Sequence, residues 1–152
     1  MFIDLITNWV LIIPLSAWII AQLIKILVGL TRGEGLDLSY FVASGGMPSA
    51  HSAMVCALAT AIAMTDGFGS SFFAIAVILS LIVMYDSAGV RQSVGQQSVV
   101  LNRIIEELKR REPLVKIEAD IRELMGHTPF EVIVGAALGI VLAWLWFFLI
   151  GT

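Results

Sequence analysis

Charge is scarce in this 152-residue chain: 14% of its residues are charged against 59% hydrophobic, and the mean hydropathy is +0.94. A soluble domain of this size could not bury so much apolar surface, so an integral membrane protein is expected. Cysteine is represented by Cys56 alone, which excludes an intrachain disulfide; beside Ala57 and Leu58 it reads as a small buried residue. A basic excess is also missing, with nine Lys and Arg against twelve Asp and Glu and a formal net charge of −3, so no nucleic-acid partner is expected. Met1-Phe2-Ile3-Asp4 lacks a basic n-region and the first apolar run lacks a small-residue cleavage site, so that run reads as a retained span.

What the chain has in quantity is apolar sequence in runs. Four of them, at about 9–30, 49–64, 71–90 and 128–150, approach the roughly 20 residues that cross a bilayer core. The expectation is an all-α bundle of four transmembrane helices forming a single domain over 1–152. The second run is short, as in a thin or re-entrant crossing or a helix end sunk below the surface. Its rows Ala53/Ala57/Ala61 and Ala59/Ala63 favour close helix approach in lipid. Trp144 and Trp146 read as interfacial belt residues.

Residues 91–125 interleave charges with Leu101, Ile104, Ile105 and Leu108, and then with Leu114, Ile117, Ile121 and Leu124, at helical spacing. Two amphipathic helices split at Pro113 are expected. They would lie on the membrane surface, pair with a second copy, or cover the site as a hairpin. If the four spans alternate, all nine Lys and Arg residues fall at one membrane face. The positive-inside rule then places that face in the cytoplasm and both termini outside, in the plasma membrane of a bacterium.

Two short stretches carry the chemistry. Gly45-Gly46-Met47-Pro48-Ser49-Ala50-His51-Ser52 and Leu124-Met125-Gly126-His127-Thr128-Pro129-Phe130-Glu131 each combine a glycine turn, a proline near a helix start and a histidine at the positive end of the helix dipole. Such a place binds an anion. His127, Glu131, Gly135 and Gly139 recur at steps of four, so the carboxylate can hold a ring N–H of His127 and leave the other nitrogen basic. Thr128 and Pro129 also fit simple capping. Lys25 and Arg32 share one helix face about 10 Å apart along the axis. Asp86, costly inside a span, is expected to pair with a base such as Arg91, either as a helix-end ion pair or as part of a site.

Close packing of the second and fourth spans would bring His51 to His127, with Lys25, Arg32 and Arg91 converging on them. Two imidazoles, a carboxylate and three cations amount to a phosphate pocket equipped to attack phosphorus and protonate a leaving oxygen. A metal site built on His51, His127, Glu131 and Asp86 is the alternative. Three neighbouring cations argue against a divalent ion, so no metal and no cofactor is expected.

These residues resemble a known family. Lys25-x6-Arg32, Pro48-Ser49-Ala50-His51 and His127-x3-Glu131 are similar to the three signature motifs of the type 2 phosphatidic acid phosphatases and vanadium haloperoxidases, and the whole chain resembles that superfamily's divergent membrane branch. The resemblance implies that His127 is the nucleophile of a phosphohistidine, that Glu131 orients it and that His51 protonates the leaving alcohol. It also implies that Lys25, Arg32 and the Ser49-Ala50 turn bind phosphate. The chain departs from the pattern at Gly33 (for Pro), Ala50 (for Gly) and Glu131 (for Asp). Ile121 stands where an Arg opens the third motif, and Arg122 follows one place late; Arg91, beside Asp86, is the preferred substitute cation and Arg122 the other candidate. The implied function is hydrolysis of a membrane lipid phosphate, an isoprenoid or polyprenyl phosphate among them, with a non-enzymatic lipid-phosphate binder or carrier as the alternative. Because the superfamily's membrane members usually have six spans, a homodimer is a candidate for completing the pocket.

Overall fold

The computed structural model describes residues 7–31, 46–111 and 126–150. Regular structure among them is entirely α-helical: α1 (Trp9–Thr31), α2 (Ala50–Asp66), α3 (Ser71–Ala88), α4 (Val90–Arg111) and α5 (Pro129–Ile150). This is the expected helical membrane bundle. Three stretches, Trp9–Thr31, Ser71–Leu108 and Pro129–Leu149, are long and apolar enough to cross a bilayer. The 17-residue α2 is apolar but shorter; at 1.5 Å per residue it covers roughly 25 Å of a core about 30 Å thick.

The small residues of α2 make it the hub. Nine of its seventeen residues are buried, whereas α3 buries only Ala76, Ser80 and Ser87, so α2 lies between the other spans and α3 at the rim. Ala57 and Ala61 pack with Ile13 and Ala17 of α1 and with Ala143 and Phe147 of α5; Ala50 and Ala53 pack with Ala21. On the α5 side the approach is backbone to backbone. A Cβ at Gly135 would overlap the Ser49 carbonyl and one at Gly139 the Ala53 carbonyl, so the glycines at steps of four form the groove in which α2 lies. Large side chains such as Leu23, Leu27, Phe72, Ile75, Ile82, Ile133 and Phe148 point outward, the distribution expected when the solvent is lipid tail.

Caps and short bonds fix the connections. Ser70 caps α3 by accepting from Phe73 N–H at 3.1 Å after the tight turn at 67–70. Ser80 ties α3 to α2 by donating to the Val55 carbonyl at 2.9 Å. Trp146 is turned between helices, its indole N–H donating to Ser16 Oγ at 2.8 Å and its ring lying 6.2 Å from that of Trp9, which clamps α5 to α1, while Trp144 faces outward.

The region after the third span also differs from expectation. Only Gly89 separates α3 from α4, and the Gly89 N–H to Tyr85 O and Ser93 N–H to Gly89 O bonds carry the helix nearly unbroken from one into the other. One glycine costs a helix only about 1 kcal/mol, too little to break it. The first amphipathic helix is therefore an extension of the third span; the second, at 114–124, lies outside the described residues.

Candidate active site

The site lies where α2 and α5 begin. Ser49 caps α2, its hydroxyl accepting from Ser52 N–H at 3.4 Å and from Ser52 Oγ at 3.0 Å. Its own N–H donates to the Glu131 carbonyl at 3.1 Å, and the residue is wholly buried. The start of α2 is thus sunk one turn below the start of α5. The short second run therefore reflects a helix end drawn into the protein, and the Ser49 amide is committed to docking. Ala50 is likewise buried, in the core with Ala21 and Ala53.

His127 stands just before α5, one residue ahead of the capping Thr128, and is 2% exposed. Thr128 Oγ1 accepts from Glu131 N–H at 3.3 Å while Glu131 Oε2 accepts from Thr128 N–H at 2.9 Å, a reciprocal capping arrangement. The same Oε2 lies 3.3 Å from His127 Nδ1. The main chain holds the other side, with His127 N–H donating to the Ser87 carbonyl at 3.2 Å. Gly126 lies so close to the backbone of Gln92 that a Cβ would overlap it, so the approach to His127 is pinned against the α3–α4 junction.

Charge converges on this ring. Burial, and then the positive charge of Lys25, push the His127 imidazole below its ordinary value; the hydrogen bond to Glu131 and its charge oppose them, and His51 adds to the lowering. At neutral pH His127 is therefore uncharged, and its contact with Glu131 is a hydrogen bond rather than an ion pair. With Nδ1 on the carboxylate, Nε2 is the nitrogen left to react. Lys25 is a buried residue of a membrane helix whose stem passes beneath Gly46, 3.5 Å from where a Cβ would stand there, and it also feels the Glu131 charge. His51, half-buried on the first turn of α2, lies in the field of Arg91, Lys25 and Asp86.

The structure thus gathers His127, Glu131, His51 and Lys25 at one end of the bundle, with Arg91 and Asp86 at its edge. Arg91 Nε meets Asp86 Oδ2 at 2.8 Å, with both side chains close to half exposed. Arg32 and Arg122 lie outside the described residues. Among the described residues no group of three or more His, Cys, Asp and Glu is placed to hold a metal ion. Ser87 escaped the sequence reading because it contributes a main-chain carbonyl, which no side-chain pattern signals.

The model of the divergent PAP2 family matches residues 6–142. The chain belongs to the divergent PAP2 family. A relative in Bacillus subtilis (strain 168), the uncharacterized membrane protein YuiD, is 37% identical over 148 residues, covering 91% of this chain and 94% of its own. No solved structure matches. Membrane residence therefore rests on the helices and on the relative alike.

Proposed function

We propose that this divergent PAP2 protein is a metal-independent phosphatase of membrane lipid phosphates, monoester or diphosphate, with isoprenoid or polyprenyl phosphates in its substrate class. The observation that carries the reading is His127: buried, uncharged at neutral pH, held through Nδ1 by Glu131, and facing the positive charge of Lys25. In the first step His127 Nε2 forms a bond to phosphorus as the bond to the leaving oxygen breaks, and His51 gives that oxygen its proton. Water then attacks the phosphohistidine, His51 takes the proton back, and phosphate leaves. Lys25, joined by Arg32 and Arg91, neutralises the phosphoryl oxygens. By the positive-inside rule the site faces the cytoplasm across a bacterial plasma membrane, with both termini outside.

Phosphate release from a panel of lipid phosphates by the purified protein tests the reading, and His127→Asn is expected to lose at least about a thousandfold. Wild-type protein that releases nothing, or a variant as active as wild type, overturns it. Two observations favour the second reading, a lipid-phosphate binder without a covalent step: Arg91 is already paired with Asp86, and the third motif lacks the arginine of the pattern it resembles. Rapid quenching with labelled substrate separates the two, since a binder yields no phosphohistidine.

A further inference from the structure

α3 rests on α2 but stands off from α5, and the gap between them is an apolar trough. Its upper part, about 740 Å³, runs from Asp86 and Pro129 at the edge of the site, and its lower part, about 680 Å³, ends at Phe73 and Trp144; Leu81 and Met84 line both, so the two are continuous. Ser80 donates to Val55 O and Thr60 to Cys56 O, so along the lower part the hydroxyls are turned into the protein and the wall offers hydrocarbon, while the Tyr85 hydroxyl belongs to the upper part, near the site. Among the described lining residues Asp86 alone is charged, and it stands at the end beside the site: Pro129 and Val132 of the wall flank Glu131 in sequence, and Asp86 holds Arg91.

Length identifies the occupant. From Pro129 to Trp144 the α5 wall runs fifteen residues, about 22 Å of helix, which exceeds the roughly 15 Å of one leaflet's hydrocarbon. A tail confined to one leaflet would fill only the upper part. We propose that this trough is the tail-binding site of the phosphate-bearing lipid, and that it fits a single hydrocarbon chain long enough to pass the bilayer midplane, the long-chain polyprenyl class, in preference to acyl chains of one leaflet. The proposal rests on the phosphate-site reading above and adds the part of the ligand that selects among lipid phosphates.

Photolabelling of the full-length protein with a long-chain polyprenyl phosphate carrying a photoreactive group at its tail end tests this without requiring turnover. The label is expected near Phe73, Ile140 and Trp144, and unlabelled long-chain polyprenyl phosphate should displace it where a short-chain prenyl phosphate does not. Label spread over the outward faces of α1, or displaced equally by the short chain, overturns the tail site. Ala136→Trp, which fills the lower trough, should raise KM for the long-chain substrate about tenfold, equivalent to roughly two buried methylenes, and leave the short-chain KM within about twofold; equal effects on both count against the proposal. The two readings fail separately. Label in the trough without phosphate release keeps the tail site and removes the phosphatase, and phosphate release with label elsewhere does the reverse.

Discussion

Gly135→Ala and Gly139→Ala form a matched pair whose comparison tests how the site is built. On an isolated helix either change would stabilise by about 1 kcal/mol, because alanine is the better helix former. Here a Cβ at Gly135 would overlap the Ser49 carbonyl and stand 3.1 Å from Ser49 Cβ, and one at Gly139 would overlap the Ala53 carbonyl and stand 2.8 Å from its carbon. Those neighbours are backbone of a buried helix, so relief requires α2 to move. Overpacking of this kind costs about 1–3 kcal/mol, and the upper end applies where no side chain can rotate aside, leaving each variant destabilised by roughly 2 kcal/mol. For a chain of this size that lowers the unfolding temperature in detergent by about 4–8 °C. The stability losses should match and the activities should not. Gly135 lies under the cap that carries His51, and displacing a catalytic group by about 1 Å can cost a hundredfold, whereas Gly139 is a turn further from the site and should cost several-fold less. If Gly135→Ala raises the unfolding temperature, helix propensity has won and the close crossing is refuted; if the two variants lose equal activity, the crossing does not position the histidines.

Because the His127 value is lowered, phosphate release should persist below the ordinary histidine range near 6.5 and fall as pH drops through the lowered value; the sign follows from the need for an unprotonated nucleophile. Lys25 lowers that value and Glu131 raises it, so in pH–rate profiles Lys25→Met should move the acid limb up and Glu131→Gln should move it down, while both reduce kcat; shifts in the same direction would count against the arrangement. Thr128→Ala removes the cap of α5 and should cost about 1 kcal/mol, roughly 2–4 °C in thermal unfolding, with a loss of activity because Glu131 loses its anchor. Asp86→Asn should change stability by less than about 1 kcal/mol, since the Arg91 pair is half exposed. Inhibition by inorganic phosphate should nevertheless tighten as Arg91 is released, and an unchanged inhibition constant would remove Arg91 from the pocket.

Much of this was legible in the sequence because it depends on periodicity. Long apolar runs marked α1, α3 and α5, and the alanine rows marked α2 as the helix others approach closely. Steps of four from His127 through Glu131 to Gly135 and Gly139 placed the imidazole, its carboxylate and the α2 groove on one line. What was not legible depends on partners distant in sequence. Whether Trp146 faces lipid or Ser16, which carbonyl receives the His127 N–H, and whether Gly89 breaks or bends a helix are settled by tertiary packing. Ser49 shows the limit most clearly: as part of a phosphate-binding turn it resembles an anion donor, yet its amide belongs to the Glu131 carbonyl.

That last bond also bears on position 131, where the motif that this chain resembles carries aspartate and the chain has glutamate. A single oxygen, Oε2, takes the Thr128 N–H and lies against His127 Nδ1, while the Glu131 main chain exchanges bonds with Thr128 Oγ1 and Ser49 N–H. Glutamate at the third helical position reaches back to the cap, which a side chain one methylene shorter does less well. His127 precedes the helix here, so the carboxylate must serve cap and imidazole at once, and the longer side chain suits both. The residue that orients one histidine is thereby also the residue on which the helix carrying the other is docked. Glutamate at 131 thus joins the two halves of the site, through its carboxylate to the cap and imidazole and through its main-chain carbonyl to Ser49.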